Sequence, residues 1–409
     1  MSFCAKAVGV AAVDRKGGRS RRFKSLVGLL VWVLGFPVLA AELEKRPAEG
    51  EKPVGVLAEF KIEKGGRDVL IPVRVQAQEC LFVLDTGASH SVFDSSLRRF
   101  LDERIGVVEM RTAAEPVRLE QFDPPEAYVG KLDLREGGPI GCLDLQLIRR
   151  VMGRDVRGIL GMGFLKNYVV KIDFDAGKVQ FCQGDRRRHP EWGNAVRLYD
   201  SGGKVRGVPH VKGNLAGVGN VKFVLDTGRN VAGDLVAELF EKAMDTKALA
   251  EGPTATLAGT RRERKTRISR LVLGGFEQRE LIMDEGNQNL IGLGLLSRYV
   301  VTLDFPRMKM YLQKGQAFEK RDEMDMSGLH LWRIEGRTVV HSVDKSSPAE
   351  AAGIRPEDVV LEAGERSGAE MDLDDLRELL KSGGGKEIRM TIRRGEEDKA
   401  VAFKLKKQI

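Results

Sequence analysis

The chain has 409 residues, room for three domains of ordinary size, and is 42% hydrophobic and 31% charged. Its formal charge is +8, but residues 1–40 hold seven basic residues against one acid, so only about +2 belongs to the remainder. The basic balance therefore belongs to the N-terminus, and no basic stripe interleaved with aromatics is left to form a nucleic-acid surface. Five histidines without metal-ligand spacing, and cysteines without a Cys-x-x-Cys pair, imply no metal and no cofactor.

In chain order, the basic stretch from Lys6 to Lys24 precedes an apolar run from Leu26 to Ala40, short for a bilayer span. Val38-Leu39-Ala40 offers small residues to a signal peptidase, so residues 1–40 are expected to be a signal peptide, with an uncleaved anchor as the alternative. A periplasmic or extracellular location follows, and membrane attachment only if the segment is retained. Residues 41–54, charged and carrying Pro47 and Pro53, read as a linker. Residues 55–184 form a first region with expected strands over 69–75, 81–84, 169–174 and 179–181, separated by Gly-rich turns. A second region, 195–315, has expected strands over 223–225, 270–273 and 300–305. Cys80, Cys142 and Cys182 either pair in an oxidising compartment or remain buried thiols.

The two regions repeat one another. Phe-Val-Leu-Asp-Thr-Gly occurs at residues 82–87 and again at 223–228. Ile159-Leu160-Gly161 and Leu290-Ile291-Gly292 each open a second shared stretch, in which Tyr168 and Tyr299, like Asp173 and Asp304, lie 131 positions apart. Each hexapeptide places a carboxylate, Asp85 or Asp226, where an apolar strand breaks into a turn. A buried carboxylate is costly unless it has a partner.

These paired signatures resemble the retropepsin-like aspartic proteases over residues 55–315. The resemblance implies a mostly β chain of two pepsin/retropepsin-like β-barrel lobes, working as a single-chain monomer on a peptide or protein substrate. It makes Asp85 and Asp226 the catalytic pair, sharing a proton and activating a water. It gives Thr86 and Thr227 the bracing hydroxyls, Gly87 and Gly228 the sharp turns, and Ala88 and Arg229 the walls of a substrate pocket. The expected activity is that of an aspartic endopeptidase. Its alternatives are a non-catalytic peptide-binding scaffold, or an enzyme active only through dimerisation of the first lobe. Arg229 departs from the small residue usual at its position. It either depresses the pair's pKa and crowds the pocket, or selects acidic side chains, or marks a lobe without catalysis.

Flaps are expected over 111–128 and 254–270. The second is dense in Arg261, Arg262, Arg264, Lys265 and Arg267, and reads as a solvated charged face. Ser89-His90-Ser91 is not expected to supply a nucleophile and base, because neighbouring side chains of a strand point to opposite faces.

The tail, residues 326–407, carries Ser347-Pro348-Ala349 opening a short helix, a strand after Glu357-Asp358, helical apolar spacing over 373–380 and a terminal hairpin over 387–405. This pattern resembles an α+β PDZ domain of the bacterial type. Such domains bind an extended peptide as an added strand. The resemblance places the peptide groove at Gly328 and Leu329 of the loop and Leu376 of the helix.

Overall fold

Four β-sheets dominate the computed structural model, which describes residues 55–110, 117–184, 189–200, 207–244, 249–364, 366–367 and 372–409. The chain is mostly β, as expected from its alternating and apolar runs. Residues 1–54 lie outside the described part, and with them the signal and linker expectations. No helix among the described residues is long and apolar enough to cross a membrane.

The repeated signatures lie beside one another within each half. Strand Gln78–Leu84 runs parallel to Val156–Leu160, with Leu84 opposite Leu160. Strand Gly219–Leu225 runs parallel to Leu290–Ile291, with Leu225 opposite Ile291. Phe82, Leu84, Phe223 and Leu225 are fully buried, which is why these strands read as apolar runs. Gly161 and Gly292 close each pair because a Cβ there would come within 2.3 Å of the His90 carbonyl oxygen or 2.4 Å of that of Val231.

The halves join through a six-stranded sheet at whose centre Val169–Asp173 pairs antiparallel with Tyr299–Asp304. One apolar core, from Val69 to Phe318, runs through both halves. Their union is therefore a continuous apolar interior. The tail has a separate core that includes Leu329, Leu331, Leu373, Leu376 and Ile392. Its sheet begins at the edge strand Leu329–Ile334, paired only with Arg337–Val343 among the described residues.

Ion pairs and hydrogen bonds fasten the tail to the double-β body. Arg67 meets Asp374 at 3.1 Å and Glu378 at 2.7 Å, and Arg154 donates to Asp372 at 2.8 Å. Arg377 donates to the carbonyls of Val151 and Leu331 at 2.7 and 3.1 Å. That places the end of helix Gln146–Met152 against the edge strand and helix Leu373–Leu380. Cys80, Cys142 and Cys182 are free thiols, and Cys80 and Cys182 are buried.

Candidate functional site

Both Asp-Thr-Gly turns meet at the junction of the two halves. The Asp85 amide donates to the Leu160 carbonyl at 3.0 Å, and that of Asp226 to Ile291 at 2.9 Å, so the adjacent signatures fix both carboxylates from below. Thr86 Oγ1 donates to the Leu225 carbonyl at 2.6 Å and accepts from the Thr227 amide at 3.1 Å. Thr227 Oγ1 donates to Leu84 at 2.7 Å and accepts from the Thr86 amide at 3.0 Å. Both hydroxyls are buried, and the four bonds lock one turn to the other. Gly87 and Gly228 are required by close approach. A Cβ on Gly87 would lie 2.6 Å from Asp226 Cγ, and one on Gly228 2.5 Å from Asp85 Cγ.

The two carboxyls lie together at this junction, each against the glycine of the opposite turn. Asp85 Oδ1 also accepts from the amides of Gly87 and Ala88, at 2.7 and 3.1 Å, and Asp226 Oδ1 from Gly228 at 2.9 Å. Burial raises both groups above the usual carboxylate range, and the Asp85 charge helps push Asp226 up to about 8. The pair accordingly holds a proton at neutral pH and titrates as a unit.

The folded chain keeps that proton from about pH 4 to pH 8, where the unfolded chain has lost it. Stability contributed by the pair is thus greatest at low pH and falls as pH rises through this window. Urea midpoints measured from pH 4 to 8 should decline more steeply for the native sequence than for Asp226→Asn. Equal slopes would place the proton elsewhere.

Arg229 turns into a nest of acids. Its guanidinium donates to Asp234 at 3.0 and 3.1 Å, to Glu263 at 2.6 Å and to Asp284 at 3.0 Å. The three acidic side chains are each 1% exposed. Burial opposes the Arg229 charge, but Asp234, Asp284 and Glu263 outweigh it and raise its pKa. Burial lifts Asp234 to about 7 against the pull of Arg229. Glu263 falls to about 2, because Arg229, Thr254 and Arg261 overcome its burial. Arg229 also lowers Asp226, by less than burial and Asp85 raise it. Its Nε and Nη2 are committed to these internal acids.

Residues 254–270, expected as the second flap, fall in the hairpin of Ala250–Thr256 with Gly259–Leu273. Its basic residues meet the expected solvated face only in part, since Arg262 is 51% exposed whereas Lys265 and Arg267 are largely covered, and the strands carry matching acids. Arg261 binds Glu263 at 2.5 and 2.8 Å, and Arg264 binds Glu285 and Glu241. Lys265 binds Asp284, Arg267 reaches the Glu280 and Asp322 carbonyls, and Arg262 meets Asp344 of the tail at 3.0 Å. In the first half, Gly106–Met110 pairs with Val117–Phe122, and residues 111–116 of that expected flap lie outside the described part.

A cavity of about 600 Å³ has Asp85, Asp226 and Ala88 on one wall and Leu329, Leu331 and Trp332 of the edge strand on another. The expected groove residues are placed unequally. Leu329 lines the cavity, and Gly328 adopts φ +78° beside it. Leu376 is 2% exposed and packs in the tail's core, so helix Leu373–Leu380 presents Asp374 and Arg377 to the cavity, with Lys381 just beyond its end. A larger cavity of about 850 Å³, bordered by Met162, Tyr199 and Phe305, contains none of the expected site residues.

Two further features escaped the sequence reading. Ser89 Oγ lies 2.9 Å from His90 Nδ1, and both residues line the cavity. The argument from strand alternation fails because these residues sit in a bend, and the strand resumes only at Val92. Burial lowers the pKa of His90, with Lys166 assisting, which favours the neutral imidazole. In the tail, Asp325 Oδ1 accepts from the amides of Ser327 and Gly328 at 2.9 and 2.8 Å and from Ser327 Oγ at 2.7 Å. Asp-x-Ser-Gly is a signature of such a turn and was legible in the sequence.

A PDZ-domain family model matches residues 339–394. The chain is 32% identical over 77 residues to a probable CtpA-like serine protease of Staphylococcus haemolyticus, which covers 19% of this chain and 16% of that protein. It is 28% identical over 118 residues to the carboxy-terminal processing protease CtpB of Bacillus subtilis, covering 28% and 24%. A solved photosystem II D1 C-terminal processing protease aligns with a TM-score of 0.21 and 19% identity, over 23% of this chain and 26% of that one. The chain thus spans about a quarter or less of the length of the curated relatives it matches. The PDZ expectation agrees with the family match. The aspartic endopeptidase expectation is corrected: the relatives are named as serine or carboxy-terminal processing proteases, and the retropepsin-like assignment is withdrawn with it.

Proposed function

We propose that this chain binds extended polypeptide in the cavity between the paired aspartates and the PDZ edge strand, and that it serves proteolysis. One observation carries the reading: a single cavity is walled by both features. The outer edge of Leu329–Ile334 offers main-chain groups to an added strand. A carboxyl pair holding one proton offers a donor and an acceptor to a peptide main chain. Asp85 and Asp226 are in this reading the polar floor. Thr86, Gly87, Thr227 and Gly228 hold that floor in place, and Ala88 leaves room above it. Proteolysis is supported by the names of the relatives that the chain partly matches.

Anisotropy titration of a labelled mixed peptide library tests this. The native chain should bind, and Ala255→Trp, which adds bulk to the cavity wall, should weaken binding about tenfold or more at an unchanged melting temperature. Absence of binding, or full affinity in the variant, would sink the reading.

A second reading, favoured by the Ser89–His90 contact and by the relatives' names, is that bound peptide is hydrolysed at Ser89 with His90 as base. Mass spectrometry should then show cleavage abolished by Ser89→Ala. Cleavage that survives Ser89→Ala would overturn this second reading.

A further inference from the structure

The loop entering the edge strand is where a PDZ-type groove would hold a peptide's terminal carboxylate, using backbone amides as donors. Here those amides already have acceptors. Ser327 and Gly328 donate to Asp325 Oδ1 at 2.9 and 2.8 Å, and Leu329 donates to Ser327 Oγ at 3.0 Å. Ser327 Oγ itself donates to Asp325 at 2.7 Å, so one internal carboxylate organises the whole loop. Asp325 also lines the cavity, where a second carboxylate would meet a like charge.

The cavity does not stop at this loop. Its lining includes Lys381 and Leu329 together with Trp332, Asp85 and Asp226. A ligand lying along the edge strand therefore shares one cavity with the paired aspartates, and the loop amides that would mark a chain end are already bonded within the loop. We propose that Asp325 acts as an internal carboxylate that sets the specificity of this groove, so that it takes an internal stretch of extended polypeptide and rejects a free C-terminus.

The inference rests on the polypeptide-binding reading and is separable from it. Three peptides of one core sequence serve as probes: a free acid, its carboxamide, and a version extended beyond the same residues. The native full-length chain should bind the carboxamide and the extended peptide with similar affinity, and the free acid about tenfold more weakly. Asp325→Ala frees the loop amides and should shift the acid-to-amide ratio toward the acid by about tenfold or more. Asp325→Asn keeps an acceptor oxygen without the charge. It should reduce the discrimination against the acid without creating a preference for it, and it gives a reading even if the alanine variant folds poorly. A native preference for the free acid, or a ratio indifferent to both substitutions, overturns the inference and leaves polypeptide binding intact. Failure of all three peptides to bind overturns both.

Discussion

Replacing Arg229 with Met should destabilise the protein by about 3–5 kcal/mol, the range for removing one partner of a buried ionic cluster. The guanidinium is 11% exposed and the carboxylates of Asp234, Glu263 and Asp284 are each 1% exposed, so water cannot take over its part. A surface pair of the same composition would contribute about 0–1 kcal/mol, which makes the measured size of the loss diagnostic. Lys265 reaches Asp284 and Arg261 reaches Glu263, but Asp234 has Arg229 as its principal cation. Without that cation the folded-state pKa of Asp234 rises further and that of Glu263 is no longer held down. The folded variant then prefers them protonated, and its deficit should widen as pH increases from about 4 to 8 and narrow on acidification. Urea unfolding of both proteins at the two extremes checks magnitude and sign together. A pH-independent deficit below about 1 kcal/mol would mean that the cluster is solvated.

The repeat was legible because duplication leaves identity at the positions where backbone geometry is least forgiving. Leu84 and Leu160 lie opposite each other, as do Leu225 and Ile291, since the two signatures of each half are neighbouring strands. The glycines survive in both copies because each faces a carboxylate or a carbonyl at less than 3 Å from where a Cβ would stand. Arg229 was legible only as an anomaly. Its partners lie 5, 34 and 55 positions away, on strands whose contact depends on the finished sheet. The same holds for the basic hairpin, in which Arg264 and Glu285 meet only once the two long strands pair. The Ser89–His90 contact was missed through a wrong local assumption, strand geometry where the chain bends. Inference to chemistry failed at a separate link. A pair of facing carboxyls is a geometry, and the named relatives overturned the activity attached to it.

The Thr86–Thr227 brace should prove the second large contributor. Valine preserves the shape of threonine, so Thr86→Val removes two hydrogen bonds and strands the Leu225 carbonyl and the Thr227 amide in a buried site. Thr227→Val does the same to the Leu84 carbonyl and the Thr86 amide. Each unsatisfied buried group costs about 1–3 kcal/mol, so each single variant should lose about 2–6 kcal/mol. The four bonds are distinct, yet the double variant should lose less than the sum of the singles. Once one hydroxyl is gone the turns separate, water enters, and the second pair no longer faces full desolvation. The separation has a second readout. Asp226 owes its raised pKa to burial and to Asp85, and both weaken as the turns part, so its titration should move back toward the ordinary carboxylate range. Carboxyl-detected NMR titration of the variants follows that group directly. A stability loss accompanied by an unchanged titration would show that Gly87 and Gly228 alone hold the carboxyls together. Loss and titration shift moving in step would make the brace the element that keeps the pair protonated.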